Sequence, residues 1–101
     1  MAIMEITVIP LGTSTTSFSH FVAEMQRRLE KTGVVFELTD MGTIIEGKMT
    51  QLLDTLRVLH EIPFEMGEKR VYTVAKIDDR RDKKQCIGDK TRSVQNLITR
   101  A

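Results

Sequence analysis

The chain has 101 residues, and 15 Lys and Arg nearly balance 14 Asp and Glu, leaving a formal net charge of +1. That length supports one modest core in a single domain, residues 1–101, and the charge excludes both the basic excess of a nucleic-acid-binding face and the acidic excess of a solvating disordered chain. The single cysteine, Cys86, excludes an intramolecular disulfide and a cysteine-built zinc cluster, and it suits a reducing, cytoplasmic setting.

Residues 3–9 are rich in β-branched side chains and stop at Pro10 and Gly12, the pattern of a strand. Thr13, Ser14, Thr15, Thr16 and Ser17 then supply helix-capping hydroxyls. Phe18, Phe21, Val22, Met25 and Leu29 follow at helical spacing, with Gly33 as the left-handed stop. Residues 34–38 read as a second strand. A tight connection at Asp40-Met41-Gly42 joins it to a third over residues 43–46, so the two form an antiparallel hairpin. Gly47 breaks that strand and Thr50 suits the cap of a second helix. Leu52, Leu53, Leu56, Leu59 and His60 give this helix an apolar stripe, and Pro63 ends or kinks it. Gly67 turns the chain into a fourth strand over residues 70–77. A charged run, residues 78–84, leads to a short last helix that Asp89 is placed to cap and that carries Val94, Leu97 and Ile98. No longer-period repeat or low-complexity tract is present.

The order β-α-β-β-α-β is that of an α+β, ferredoxin-like sandwich: a four-stranded antiparallel sheet with two helices on one face, plus the short C-terminal helix. In the first strand Met4, Ile6 and Val8 point one way, and Ile3, Thr7 and Ile9 the other. In the fourth, Val71, Ala75 and Ile77 alternate with Tyr72 and Val74. Both faces are largely apolar, whereas a sheet washed by water on one side alternates more cleanly. The expectation is a homo-oligomer, dimer or tetramer, in which a second copy covers the open face through sheet packing.

Glu46 is the anomaly of the third strand, a carboxylate beside Ile44 and Ile45. An ionised carboxylate is costly to bury alone. Glu46 therefore sits at the sheet edge in water, pairs with a cation, or faces a pocket. Thr43, three positions away, points to the opposite face of a regular strand. The hydroxyls before the first helix exceed what one cap needs. They serve as caps in a loop, or with free helix-start amides they hold a polar or anionic group. His20 and His60 have no second ligand at metal spacing, so no metal is expected. No spacing marks a catalytic triad.

Related modules are set aside by what is missing. RNA-recognition sheets need aromatic platforms, and Tyr72 alone is not one. A heavy-metal carrier needs a Cys-x-x-Cys loop, and an acylphosphatase-like enzyme needs an arginine after the first strand. The start of the chain shows no basic segment before a long apolar run, so no signal peptide is expected, and no stretch is long enough to span a bilayer.

Several blocks together resemble one family. They are Val8-Ile9-Pro10-Leu11-Gly12-Thr13, Ser17, the run from Phe36 to Gly47 with its Met-Gly-Thr-x-x-Glu-Gly block, His60-Glu61, Gly67, Arg70-Val71, and Ile77-Asp78-Asp79-Arg80-Arg81-Asp82-Lys83. This pattern is similar to that of the thiamine-binding proteins, the YkoF-like group, over nearly the whole chain. The resemblance implies a ferredoxin-like fold, dimers through sheets and often tetramers, and binding of thiamine or its hydroxymethylpyrimidine half without chemistry. It also implies a small-molecule role for Glu46, as acceptor for an exocyclic amine or countercharge for the thiazolium. Thr13, Ser17 and Thr43 would complete the ligand-binding set. The expected function is thus non-enzymatic binding, for storage, delivery or sensing, with no cofactor, no nucleic acid and no membrane. The alternative is a structural or regulatory homo-oligomeric module with no small ligand.

Overall fold

The computed structural model describes residues 1–14 and 17–100. Thr15 and Thr16, part of the hydroxyl run, lie outside the described residues. The elements are β1 (Ala2–Pro10), α1 (Ser19–Thr32), β2 (Val35–Thr39), β3 (Gly42–Gly47), α2 (Met49–Glu65), β4 (Val71–Asp79) and α3 (Asp89–Thr99). The strands form one antiparallel sheet in the order β2-β3-β1-β4. This is the ferredoxin-like arrangement expected from the sequence.

The alternation of β1 sets the layers. Ala2, Met4, Ile6, Val8 and Pro10 are buried, while the residues between them are half-buried. The buried set meets Phe21, Met25 and Leu29 of α1, Ile45 of β3, and Leu52, Leu59 and Ile62 of α2 in one core. An Arg28–Glu65 ion pair (2.5 Å) joins the two helices at the surface, where solvent screening leaves such a contact weak. His60 is half-buried on α2. Its Nδ1 lies 2.7 Å from the Thr73 hydroxyl, tying α2 to β4.

Helix starts differ from the sequence expectation. Phe18, not a hydroxyl residue, occupies the N-cap of α1, and its carbonyl accepts the N–H groups of Phe21 and Val22 (3.1 Å each). Gly33 ends that helix at φ +77, as its position predicts. Lys48 is the N-cap of α2, because β3 stays paired through Gly47; Thr50 falls inside the first turn. The same helix runs past Pro63 to Glu65, and the Met66 N–H closes it on the carbonyls of Ile62 and Pro63. Asp89 does not cap α3 as expected. It is the first helical residue, after Gly88 at φ +93, and its carboxylate reaches back to accept the Cys86 N–H (2.8 Å).

The open face is more mixed than composition implied. Directly opposed residues share a face of a sheet, so Glu37, Ile44, Glu5 and Lys76 form a charged middle row. The Lys76 ammonium sits 3.0 Å from Glu5. Tyr72 (57% exposed) and Val74 (42%) lie at one end, and Val35 (56%) at the other. The face thus pairs apolar ends with a polar waist.

Met4 and Ile3 are sequence neighbours on opposite faces, which makes the register testable. Met4→Ala should lower the unfolding free energy by about 2–5 kcal/mol, and Ile3→Ala by clearly less. Urea denaturation of the two variants reads the difference, and equal losses would contradict the register.

Candidate ligand cleft

β1 is longer than its partner on one side. Its last pair with β3 is Ile6 with Thr43, but it stays paired with β4 as far as Pro10. In an antiparallel ladder the N–H and C=O of successive residues point alternately to the two neighbours. The Leu11 N–H donates to the Arg70 carbonyl and the Arg80 N–H to the Met1 carbonyl, so odd positions face β4. The main-chain groups of Val8 therefore aim at the side where β3 has already turned away.

The first turns of α1 and the β2–β3 hairpin wall this gap. Ile6, Val8, Phe18, Val22, Met25 and Leu38 line a cleft of about 340 Å³, together with Thr7, Thr39, Asp40 and Thr43. That volume is in the range of small-molecule sites. A shallower hollow outside it shares Phe18, Val22, Leu38, Thr39 and Asp40 and adds Gln26. The walls are apolar and the polar groups few, which suits a flat ring bound by its edge.

Local hydrogen bonds hold the polar groups in place. Buried Thr43 accepts the Gln26 side-chain N–H at 3.1 Å, which leaves the hydroxyl proton to donate elsewhere. Thr39 donates to the Gly42 carbonyl (2.8 Å) and accepts the Met41 N–H (3.3 Å). Thr7 donates to the Met41 carbonyl (2.9 Å), lashing the hairpin tip to β1. Gly42 is needed there: a Cβ at this position would lie 2.9 Å from the Thr7 hydroxyl and 3.0 Å from the Ile6 carbonyl. Asp40 stands on the rim, exposed to solvent.

The four residues singled out in the sequence do not form one site. Thr43 lines the cleft, and Ser17 immediately precedes the cleft residue Phe18. Thr13 is half-buried in the connection from β1 to α1. Glu46 lies on the other face, because β3 pairs on both sides without a bulge. It is opposite Ile3, five residues from Val8, or about 17 Å along the strand. There it accepts the Ile87 N–H at 2.8 Å. Asp78, opposite Ile3 on the other side, binds the side chains of Gln85 (3.4 Å) and Lys90. Glu46 and Asp78 together fasten the segment that leads into α3.

Sequence reasoning did not single out Asp40, Gln26 or the Val8 backbone. Asp40 carried only a turn signal, and Gln26 follows Val22 by one helical repeat. The role of Val8 comes from the pairing register, which no residue type encodes.

The carboxylates at the root of α3 are held below their usual range. The Lys90 ammonium and then Gln85 lower Asp78, while the Cys86 N–H and then Arg92 lower Asp89. Arg80 beside it brings Asp82 down to about 2. Among the described residues, no group of three or more His, Cys, Asp or Glu gathers to hold a metal ion.

Residues 4–95 match the family described as thiamine-binding protein. The chain is 44% identical over 102 residues to the UPF0045 protein YqgV of Bacillus subtilis, covering 97% of this chain and 98% of YqgV. It is 42% identical over 99 residues to a UPF0045 protein of Methanothermobacter thermautotrophicus, covering 97% and 100%. Among solved structures it is similar to MJ1052 of Methanocaldococcus jannaschii, with a TM-score of 0.82 and 29% identity over 93% of this chain and 95% of that one. It also shares its fold with a Thermotoga maritima protein provisionally assigned to thiamine biosynthesis or salvage, with a TM-score of 0.74 and 18% identity over 92% and 97%.

Two outcomes test this geometry. Gly42→Ala should lower stability and shift the amide resonances of residues 39–43, since the Ile6 carbonyl cannot rotate away as the Thr7 hydroxyl can. The second concerns acid. A carboxylate with a depressed folded pKa contributes stability that is complete above its unfolded value, about 3.9, and is lost as pH falls through the folded value. The root of α3 should therefore stay closed at pH 5 and loosen only below about pH 4, read from the amide resonances of Cys86, Ile87 and Lys90.

Proposed function

The chain belongs to the thiamine-binding protein family, and on that premise we propose that the cleft between β1, α1 and the β2–β3 hairpin binds thiamine or its hydroxymethylpyrimidine half. The observation that carries this reading is the early end of β3, which leaves the Val8 main chain aimed into an apolar slot. An aminopyrimidine is flat and offers an amine donor beside ring-nitrogen acceptors. The carbonyl and N–H of Val8 match such an edge, and the Thr43 hydroxyl and Gln26 amide supply further partners. Phe18 and Leu38 would cover the ring faces. Asp40 on the rim would face the thiazolium cation, a pairing of opposite charges.

In this reading every group is a donor, an acceptor or a wall, so the role is binding without reaction, for storage, delivery or sensing. Ser17 immediately precedes the cleft residue Phe18, and Thr13 is not among the residues that line the cleft. Glu46 falls outside the ligand set, its carboxylate serving the Ile87 N–H instead. A second copy would cover the open face, where Tyr72, Val74 and Val35 are exposed, giving a dimer or tetramer. Among the described residues no helix is long and apolar enough to cross a membrane, and the proposed setting is the cytoplasm. One observation favours the rival assembly module: both Glu46 and Asp78 are engaged in fastening the C-terminal segment.

Thermal-shift and calorimetric titrations with thiamine, its phosphates and hydroxymethylpyrimidine decide between the two, because a ligand that binds only the folded state raises its melting temperature. Dose-dependent stabilisation is expected. Asp40→Asn should weaken thiamine about two- to five-fold, a rim ion pair of up to about 1 kcal/mol, and leave hydroxymethylpyrimidine unchanged. Thr43→Val should weaken both by about 0.5–1.5 kcal/mol, and Glu46→Gln neither. A flat response to every ligand would reject the binding reading.

A further inference from the structure

Among the described residues, Met41 is the large apolar side chain that the fold leaves most exposed, at 80%. It stands with Asp40 in the turn between β2 and β3. Two-residue hairpin turns favour Gly, Asn and Asp, each for a backbone reason. Asp40 fits that chemistry and methionine does not. Core packing does not account for Met41 either, since it belongs neither to the buried core nor to the residues packed against it.

What lies beside it is the cleft. Met41 is one of the lining residues, and so is Leu38, itself 53% exposed. The rim of an apolar slot thus carries two large apolar side chains that remain exposed to water. The backbone under Met41 is pinned on both sides. Its N–H donates to the Thr39 hydroxyl (3.3 Å), and its carbonyl accepts the Thr7 hydroxyl (2.9 Å). Gly42, next in the chain, is seated against the Thr7 hydroxyl and the Ile6 carbonyl, so closely that a Cβ would lie 2.9 and 3.0 Å from them. The base is held in place, while the side chain is unbranched and turns about three bonds. A thioether is apolar and polarisable, and it gains by contact with the edge of an aromatic ring.

We propose that Met41 is a ligand-contact residue that closes the cleft: its side chain folds over the outward edge of the pyrimidine ring, the edge that Phe18 and Leu38 leave in water, and so slows release. This rests on the proposed binding of thiamine or hydroxymethylpyrimidine and adds the residue that retains them. Met41 and Asp40 share the rim but act on different parts of the ligand. Asp40 acts on the thiazolium charge and so separates the two ligands. Met41 acts on the ring they have in common and so treats them alike.

Methionine methyl NMR and dissociation kinetics on the full chain test this. The chain has six methionines, and the isotope-labelled methyl of Met41 is assigned by its loss in Met41→Leu. That resonance should shift on saturation with hydroxymethylpyrimidine and with thiamine. The methyls of Met1 and Met66, exposed but not among the cleft lining, should stay in place. Met41→Gln keeps the length and removes the apolar end. It should raise the Kd of both ligands by the same factor, about two- to ten-fold, through faster dissociation. Met41→Leu, still apolar, should keep most of the affinity. Without ligand, both variants should melt with the wild type, because so exposed a side chain contributes little packing. A methyl shift with thiamine alone, a Kd that Met41→Gln leaves unchanged, or a weaker Kd at an unchanged dissociation rate overturns the role of Met41 and leaves the ligand site standing. Failure of the wild type to bind either ligand overturns both.

Discussion

The structure turns on unequal pairing of its first strand. β1 is held by β4 along its whole length and by β3 over only part of it. The full ladder with β4 and the alternation of buried Ala2, Met4, Ile6, Val8 and Pro10 make β1 the spine of the core. The shorter ladder with β3 opens a gap in the sheet that α1 and the hairpin tip roof over. One length mismatch thus yields both a rigid scaffold and a place where main-chain hydrogen-bonding groups point at a cavity.

The two faces of the sheet have separate jobs for the same reason. The helical face buries the apolar set, and the cleft sits at the gap in the sheet, lined from the helical face by Ile6 and Val8 and from the open face by Thr7 and Thr39. On the open face, charges hold the chain's last segment at one end and apolar residues lie exposed at the other. Glu46 and Thr43 sit three positions apart in β3, yet they belong to these different faces. The carboxylate that looked out of place beside two isoleucines has a local cause: it accepts the N–H of Ile87, a main-chain group in a segment with no strand partner. Among exposed ion pairs, each worth little, this half-buried charge-assisted bond is the better-defined anchor.

The proposed site needs little movement. The hairpin tip is lashed to β1 by Thr7 and braced internally by Thr39, and Thr43 is fixed by Gln26 from the facing helix. Such preorganisation reduces the entropy lost when a small ring is captured.

Element order and type were legible in the residues. The β-branched run of β1, the helical spacing from Phe18 to Leu29 and the left-handed stop at Gly33 are local signals, and local sterics enforce them. Caps were read less well, because Phe18, Lys48 and Gly88 took positions that hydroxyl or acidic neighbours were suited to. For α2 the cause is strand pairing, since β3 stays paired through Gly47 and the helix starts at Met49. The family resemblance carried the fold. The structure adds that Thr43 lines the cleft beside Asp40, with Gln26 reaching Thr43 from the facing helix, and that Glu46, on the other face, accepts the Ile87 N–H. What the sequence by itself determined is the set of elements, their order and the core, since each follows from periodicity and turn chemistry within a few residues. Only the tertiary structure decided which face each polar residue serves, because a strand's two faces alternate at every residue and the partner at Glu46 lies 41 positions away in the chain.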